Sequence, residues 1–215
     1  MKNIILIAPP AAGKGTLADR LKKEFDYDYI SMGDILREEA KTNEVIKEKM
    51  ERGILIDDSE VLLSIKNKLA KVEKSYILDG FPRTINQAKA YDEYLLKNNK
   101  SLGVVIYLDV PKEELVKRIT SRLICPNCKK TYSSIKKELL PKKEGVCDVC
   151  GSKLITRKDD TVEVFDQRYE EYQDKTKPLI DYYQEKDKLV TIKTLTPEET
   201  YLEAIKIIKW RWKND

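Results

Sequence analysis

Asn3-Ile4-Ile5-Leu6-Ile7-Ala8-Pro9-Pro10-Ala11-Ala12-Gly13-Lys14-Gly15-Thr16 carries most of what this chain says about itself. Asn3–Ala8 reads as an apolar run, the pattern of a strand buried on both faces of a parallel sheet. Gly15–Phe25 then has helical spacing, with Leu17, Leu21 and Phe25 inward and Asp19, Lys22 and Lys23 outward. Strand, small-residue turn and helix form the context of a phosphate-binding loop. In such a loop backbone N–H groups at the helix N-terminus cradle phosphate, a lysine reaches the β and γ phosphates, and a hydroxyl stands near Mg²⁺. Ala11, Ala12, Gly13, Lys14, Gly15 and Thr16 are the candidates for that work. The pattern G-x-x-x-x-G-K-[ST] is met only loosely, with Ala8 at the first glycine and Gly-Lys-Gly-Thr at the end. The competing reading is an ordinary strand-turn-helix connection with an incidental Gly-Lys.

Outward from this loop, short apolar runs alternate with helical segments. Tyr27–Ile30, Ser75–Asp79, Gly103–Asp109 and Leu189–Lys193 read as further strands. Asp34–Arg52, Asp58–Lys71, Ile85–Lys97, Pro111–Ser121, Asp159–Glu185 and Pro197–Trp212 read as helices, each as one continuous element. The alternation predicts an α/β fold with a five-stranded parallel sheet and ligands at the carboxyl ends of its strands. Cys125–Ile155 breaks the pattern, with two cysteine pairs and no long periodic helix.

Composition narrows the chemistry. The chain has 215 residues, 41 Lys+Arg against 37 Asp+Glu, and 36% charged residues. Histidine is absent, which excludes Ser-His-Asp and Cys-His catalysis, any histidine general base and every imidazole-ligated zinc. Nearly balanced, interspersed charge is that of a solvated surface, so no nucleic-acid partner is expected. No stretch approaches the ~20 apolar residues of a membrane span, and the N-terminal run is too short for a signal peptide. A cytoplasmic protein without membrane attachment is the expectation. Of the 41 basic residues 32 are Lys and only nine are Arg, so the positions of the arginines carry information.

Cys125 and Cys128, then eighteen residues, then Cys147 and Cys150, match the spacing of a zinc ribbon. Each pair sits on a tight turn, and with no histidine all four ligands are sulfur, which makes the site structural rather than catalytic. Disulfides and a lysine-rich nucleic-acid ribbon (Lys129, Lys130, Lys136, Lys137, Lys142, Lys143) are the weaker alternatives.

Four motifs occur in order: Ala12-Gly13-Lys14-Gly15-Thr16, Ser31-Met32-Gly33-Asp34, Asp79-Gly80-Phe81-Pro82-Arg83-Thr84 and Arg157-Lys158-Asp159-Asp160. Together they resemble the adenylate kinase family, in its bacterial long-lid form with a zinc-binding lid, over residues 3 to about 200. The resemblance implies a P-loop kinase core (1–30, 60–122 and 160–215), a helical AMP-binding insertion (31–59) and a zinc-ribbon lid (123–159). It implies reversible transfer, ATP + AMP = 2 ADP, with Mg²⁺ beside ATP and Zn²⁺ in the lid, in a monomer whose partners are ATP, AMP and ADP.

Phosphoryl transfer is mostly positioning and charge stabilisation, and an AMP phosphate arrives already ionised, so the missing histidine is no handicap. Permanent, planar, bidentate cations suit the task. By resemblance, Arg37 and Arg83 hold the AMP phosphate, Arg118 and Arg122 approach the ATP phosphates, and Arg157 and Arg168 clamp the transferred group against both nucleotides. Lys14 completes the catalytic set, while Arg20, Arg52 and Arg211 are structural. Asp79 ends a buried strand and resembles the carboxylate that, with Thr16, attends Mg²⁺. Gly80, Phe81 and the segment Ile54, Leu55 and Ile56 flank the AMP site, Gln87 matches an adenine-reading amide, and Thr131 and Tyr132 match lid positions near ATP.

Three positions depart from the family. Met32 stands where many members have Thr, and a thioether cannot replace a hydroxyl hydrogen bond. Ala8 and Ala11 stand at usual glycines; alanine fits there if φ is negative and strains the loop otherwise. The loop is therefore expected to bind ATP less well. Two alternatives stay open: a kinase for another nucleoside monophosphate, and a catalytically weakened nucleotide-binding homologue.

Overall fold

The computed structural model describes residues 2–157, 159–193 and 196–214; Met1, Lys158 of the Arg157–Asp160 motif, Thr194, Leu195 and Asp215 lie outside the described residues. The first strand, β1 (Asn3–Ile7), is buried at all five positions. Side chains of a strand alternate between faces. Ile5 and Ile7 therefore join one core with Phe81, Tyr91, Leu179 and Tyr183. Ile4 and Leu6 join a second with Leu17, Leu21, Leu115, Phe165 and Ile208. A strand buried on both sides needs helices on both sides, and the chain supplies them.

Five parallel strands run in the order β2 (Asp28–Ser31), β3 (Tyr76–Asp79), β1, β4 (Leu102–Asp109), β7 (Leu189–Lys193). The chain leaves β1 to build one half of the sheet and returns to build the other, so a crevice opens above the carboxyl end of β1. Register sets what faces it: Leu6 lies opposite Asp79, and Asp79 opposite Ser31. The phosphate-loop sequence, Asp79 and Ser31 are thus adjacent because their strands are.

Two elements differ from the sequence expectation. Asp34–Arg52 is two helices, α2 (Met32–Glu39) and α3 (Glu44–Glu51), after α1 (Lys14–Phe25). Asn43 caps α3, its Oδ1 accepting the N–H groups of Val45 and Ile46 at 3.1 and 3.2 Å, and a side-chain cap of this kind starts a helix afresh. After α4 (Asp58–Leu69), α5 (Ile85–Lys97) and α6 (Lys112–Thr120), the expected Asp159–Glu185 helix is three pieces. It starts as α7 (Val162–Glu171), capped by Thr161, whose hydroxyl accepts the Val164 N–H at 3.2 Å. It widens into a π-helical turn over Tyr172–Thr176, where the Lys177 N–H reaches the Tyr172 carbonyl at 2.8 Å. It resumes as α8 (Leu179–Glu185), and α9 (Pro197–Asn214) closes the fold. Among the described residues no helix is long and apolar enough to cross a membrane.

The cysteine-rich excursion is a small antiparallel unit of β5 (Arg122–Ile124) and β6 (Thr131–Ser133), followed by a 3-10 turn at Lys137–Leu139. Its core is only Cys125, Tyr132, Cys147 and Leu154, with Leu123 packed against them.

Candidate active site

One large cleft lies over the carboxyl ends of the strands, floored by residues 10–17 and roofed by the cysteine-rich excursion. Gly13 turns the chain from loop into α1 at φ 96°, a conformation that glycine adopts without a Cβ penalty. The Lys14 ammonium lies 3.1 Å from the Ala8 carbonyl oxygen and 4.0 Å from Asp79 Oδ1. Burial, reinforced by Arg83, Arg168 and Arg122 and only partly opposed by Asp79, brings the Lys14 pKa down to about 8. Such a lysine lacks a full counter-charge, and a phosphate would supply one.

The scarce arginines converge here. Arg37, Arg83, Arg118, Arg122, Arg157 and Arg168 all line this cleft, delivered by α2, the turn after β3, α6, β5, the end of the cysteine-rich excursion and α7. Arg20 and Arg211 lie elsewhere, paired with Glu198 and Asp187. Most of the cleft arginines are held by a partner of their own. Arg83 Nε donates to the Gly80 carbonyl at 3.1 Å, and Arg118 reaches the Ala12 carbonyl at 3.1 Å and Glu114 at 3.0 Å. Arg168 pairs with Asp159 at 3.0 Å, Arg37 with Asp34 at 2.6 Å, and Arg122 makes a two-pronged ion pair with Asp160. Asp159 and Asp160 belong to a motif visible in the sequence, but their pairing with Arg168 and Arg122 is not legible there, and Glu114 looks in the sequence like any acid on a charged surface. Burial, and then the neighbouring guanidiniums, pull the pKa values of Arg157 and Arg168 down to about 10. Among the residues lining the cleft nine are cations and three are carboxylates, so it is a site for polyanions.

A second pocket opens between α2, α3 and the loop before α4. Met32, Ile54, Leu55, Ile56, Gln87 and Gly80 line it together with Arg37, Arg83 and Arg168. Gln87 is 2% exposed and tied on both sides: its Oε1 accepts the Arg83 N–H at 2.8 Å and its Nε2 donates to Asp58 at 2.7 Å. One amide N–H remains for a ligand. Phe81 does not line either pocket; its ring is 1% exposed and meets Tyr91 edge-on at 5.8 Å, because the buried end of β3 draws it into the core. Gly53, at φ 75°, backs onto Arg168, and a Cβ there would lie 2.9 Å from Arg168 Cγ. Thr176, on the π-helical turn, donates to the Arg83 carbonyl at 3.0 Å.

The four cysteine Sγ atoms lie within 4.8 Å of one another, with Cys125–Cys150 at 3.4 Å and Cys128–Cys147 at 3.5 Å. Tetrahedral thiolates ~2.3 Å from one Zn²⁺ are about 3.8 Å apart, so the donor set fits that ion. Backbone N–H groups of Cys128 and Val149 point at Cys125 and Cys147 sulfurs, as thiolates require. Thr131 and Tyr132 both line the cleft, and the Tyr132 hydroxyl is anchored in the cysteine-rich unit, accepting the Asp148 N–H at 2.8 Å and touching Cys147 Sγ at 3.4 Å.

The two loop alanines part company. Ala11 has φ 63°, in the left-handed region, while Ala8 does not. Left-handed alanine costs roughly 1–2 kcal/mol, partly offset by the freer unfolded state of glycine. Ala11→Gly is expected to raise Tm by about 2 °C, and Ala8→Gly to lower it by a similar amount, in thermal unfolding without ligand. Equal shifts for the two would refute this account. The depressed lysine gives a second expectation. Well below pH 8 Lys14 is charged with or without ligand. Above pH 8 the empty site releases the proton, so ADP binding must restore it. Calorimetry at pH 9 in buffers of different ionisation enthalpy is expected to show uptake of up to about one proton per ADP, absent at pH 7.

The family profile described as adenylate kinase matches residues 6–188. The adenylate kinase of Thermosipho africanus is 42% identical over 214 residues, covering 96% of this chain and 99% of that protein. The enzyme of Thermotoga neapolitana is 40% identical over 218 residues, covering 98% of each. That of Caldanaerobacter subterraneus subsp. tengcongensis is 44% identical over 195 residues, covering 88% of this chain and 87% of that protein. Similarity of that extent, carried by a parallel sheet whose crevice gathers six arginines and a phosphate loop, means that the chain belongs to the adenylate kinase family.

Proposed function

We propose that the six cleft arginines and Lys14 are the residues through which this adenylate kinase converts ATP and AMP into two ADP. The observation that carries the assignment is the concentration of cations: nine against three carboxylates in one cleft, with arginine otherwise scarce. Arg118, Arg122, Lys14 and the N–H groups of residues 11–16 take the ATP phosphates. Arg37 and Arg83 take the AMP phosphate. Arg157 and Arg168 stabilise the transferred phosphoryl as its bond to the ADP oxygen breaks and its bond to the AMP phosphate oxygen forms. No proton needs to leave the acceptor. The second pocket takes adenine, with Ile54, Leu55 and Ile56 as apolar walls and the remaining Gln87 N–H as its polar contact.

Thr16 and Asp79 both line the cleft and offer only oxygen donors, which fits Mg²⁺. They would hold the ion directly or through water, and it would neutralise phosphate charge. Residues 31–59 act as the AMP-binding insertion and 123–159 as the lid, with 1–30, 60–122 and 160–215 as the core. Closing the lid excludes water from the reacting phosphates. Zn²⁺ on Cys125, Cys128, Cys147 and Cys150 keeps the lid folded. The same reading takes the enzyme to be a cytoplasmic monomer.

A coupled assay is expected to show ATP consumption only when AMP is present, with CMP, UMP and GMP poor acceptors. Equal consumption without AMP would overturn the reading. Arg83→Lys, which keeps the charge and loses the fork, is expected to lower kcat/KM for AMP by about 10²-fold. Metal analysis is expected to find one zinc per chain. Stripping it with a chelator should make residues 123–159 sensitive to protease while the core stays resistant; a protected, metal-free lid would count against the zinc assignment.

A further inference from the structure

Tyr29 is the second residue of β2. Its side chain lines the central cleft, and its hydroxyl donates to Asp79 Oδ2 at 2.7 Å. The other carboxylate oxygen, Oδ1, faces Lys14 at 4.0 Å. The same hydroxyl lies 3.7 Å from the place a Cβ on Gly15 would occupy, so the phenol rests on the first turn of α1 beside Thr16. Register makes this contact possible: Tyr29 lies opposite Ile77 on β3, two residues before Asp79. Burial and the adjacent carboxylate raise the Tyr29 pKa far beyond any working pH, so the hydroxyl is a permanent donor.

A buried tyrosine needs some acceptor, and a backbone carbonyl would serve. Here the acceptor is the acid at the carboxyl end of the central strands. A carboxylate with one oxygen held can turn only about that bond. The other oxygen is then presented to the cleft in one orientation.

We propose that Tyr29 is a positioning residue for the magnesium-attending carboxylate, holding Asp79 Oδ2 so that Oδ1 faces the phosphate site. This rests on the reading of Asp79 given above. Hydrogen-bond partners of metal-attending groups commonly govern metal affinity by 10–100-fold.

The test compares Tyr29→Phe, Asp79→Asn and the double variant. Two quantities are read: the Mg²⁺ concentration giving half-maximal rate, and Mn²⁺ binding to the ADP complex by electron paramagnetic resonance. Phenylalanine keeps the ring and removes only the hydroxyl, and the Mn²⁺ titration is read on folded protein. Tyr29→Phe is expected to raise the half-saturating Mg²⁺ about tenfold and weaken Mn²⁺ binding similarly, with kcat at saturating Mg²⁺ within about threefold. In the Asp79→Asn background it should add nothing. If Asp79→Asn shifts both quantities and Tyr29→Phe shifts neither, Tyr29 does not position the acid, although Asp79 keeps its role. If the Tyr29→Phe shift persists without the carboxylate, the hydroxyl acts by another route and the proposal fails. If Asp79→Asn shifts neither, the reading of Asp79 falls and the role of Tyr29 with it.

Discussion

Like charges crowded into a partly dry cleft repel, and that repulsion is the constraint to which the rest of this molecule answers. Six guanidiniums and Lys14 converge on one space, and Arg83, Arg157, Arg168 and Lys14 are all pulled below their ordinary pKa values, chiefly by burial. Left alone, such a set would splay outward. Instead the cations are tethered from behind. Asp160 holds Arg122, Asp159 holds Arg168, Glu114 is shared by Arg118 and Lys136, and main-chain carbonyls hold Lys14 and Arg83. The arginines come from six separate segments, which is why a two-faced core is needed to fix them. The stability of the sheet is what keeps the cations together, and it makes the cleft preorganised for a phosphate chain.

Local pattern was the part legible in the sequence. The run at Ile4–Ile7 announced a strand covered on both faces, and the core clusters divide its residues between those faces. The arginines stood out because the rest of the chain prefers lysine. Two kinds of feature escaped. The break between α2 and α3 had a signal, Asn43, but apolar periodicity on either side masked it. The partners Tyr29–Asp79, Arg122–Asp160 and Thr176–Arg83 had none, because they are separated by 50, 38 and 93 residues and only the folded chain brings them together. Ala11 is an intermediate case: its substitution was visible, but the sign of its φ belongs to the folded loop.

The cysteine-rich excursion meets its own shortage by a different route. Its antiparallel pair β5–β6 and single bridges at Ile124–Ile155, Lys143–Val146 and Val146–Lys153 are few beside the length of the excursion. The sulfur cluster supplies a cross-link where hydrophobic area is lacking, and the Ile124–Ile155 bridge joins the strand that carries Arg122 to the segment that leads to Arg157. Lys129 and Gly151, at φ 62° and 73°, follow the second cysteine of each pair in matching left-handed turns. The two halves of the site are therefore near copies in backbone shape, although only one ends on glycine.

The π-helical turn at Tyr172–Thr176 sets the angular phase of the segment around it. A wider turn places one more residue on the helix than an α-helical path of the same sense would carry, shifting the downstream residues by about 100° about the axis. Upstream of it Arg168 looks into the cleft; downstream Leu179 and Tyr183 are fully buried against the sheet. Removing one residue there would restore ideal hydrogen bonding locally, yet it would leave Arg168 and the core face pointing in incompatible directions. The extra residue thus works as a clutch between two gears cut to different pitch, letting one continuous segment serve the core at one end and the cationic cleft at the other.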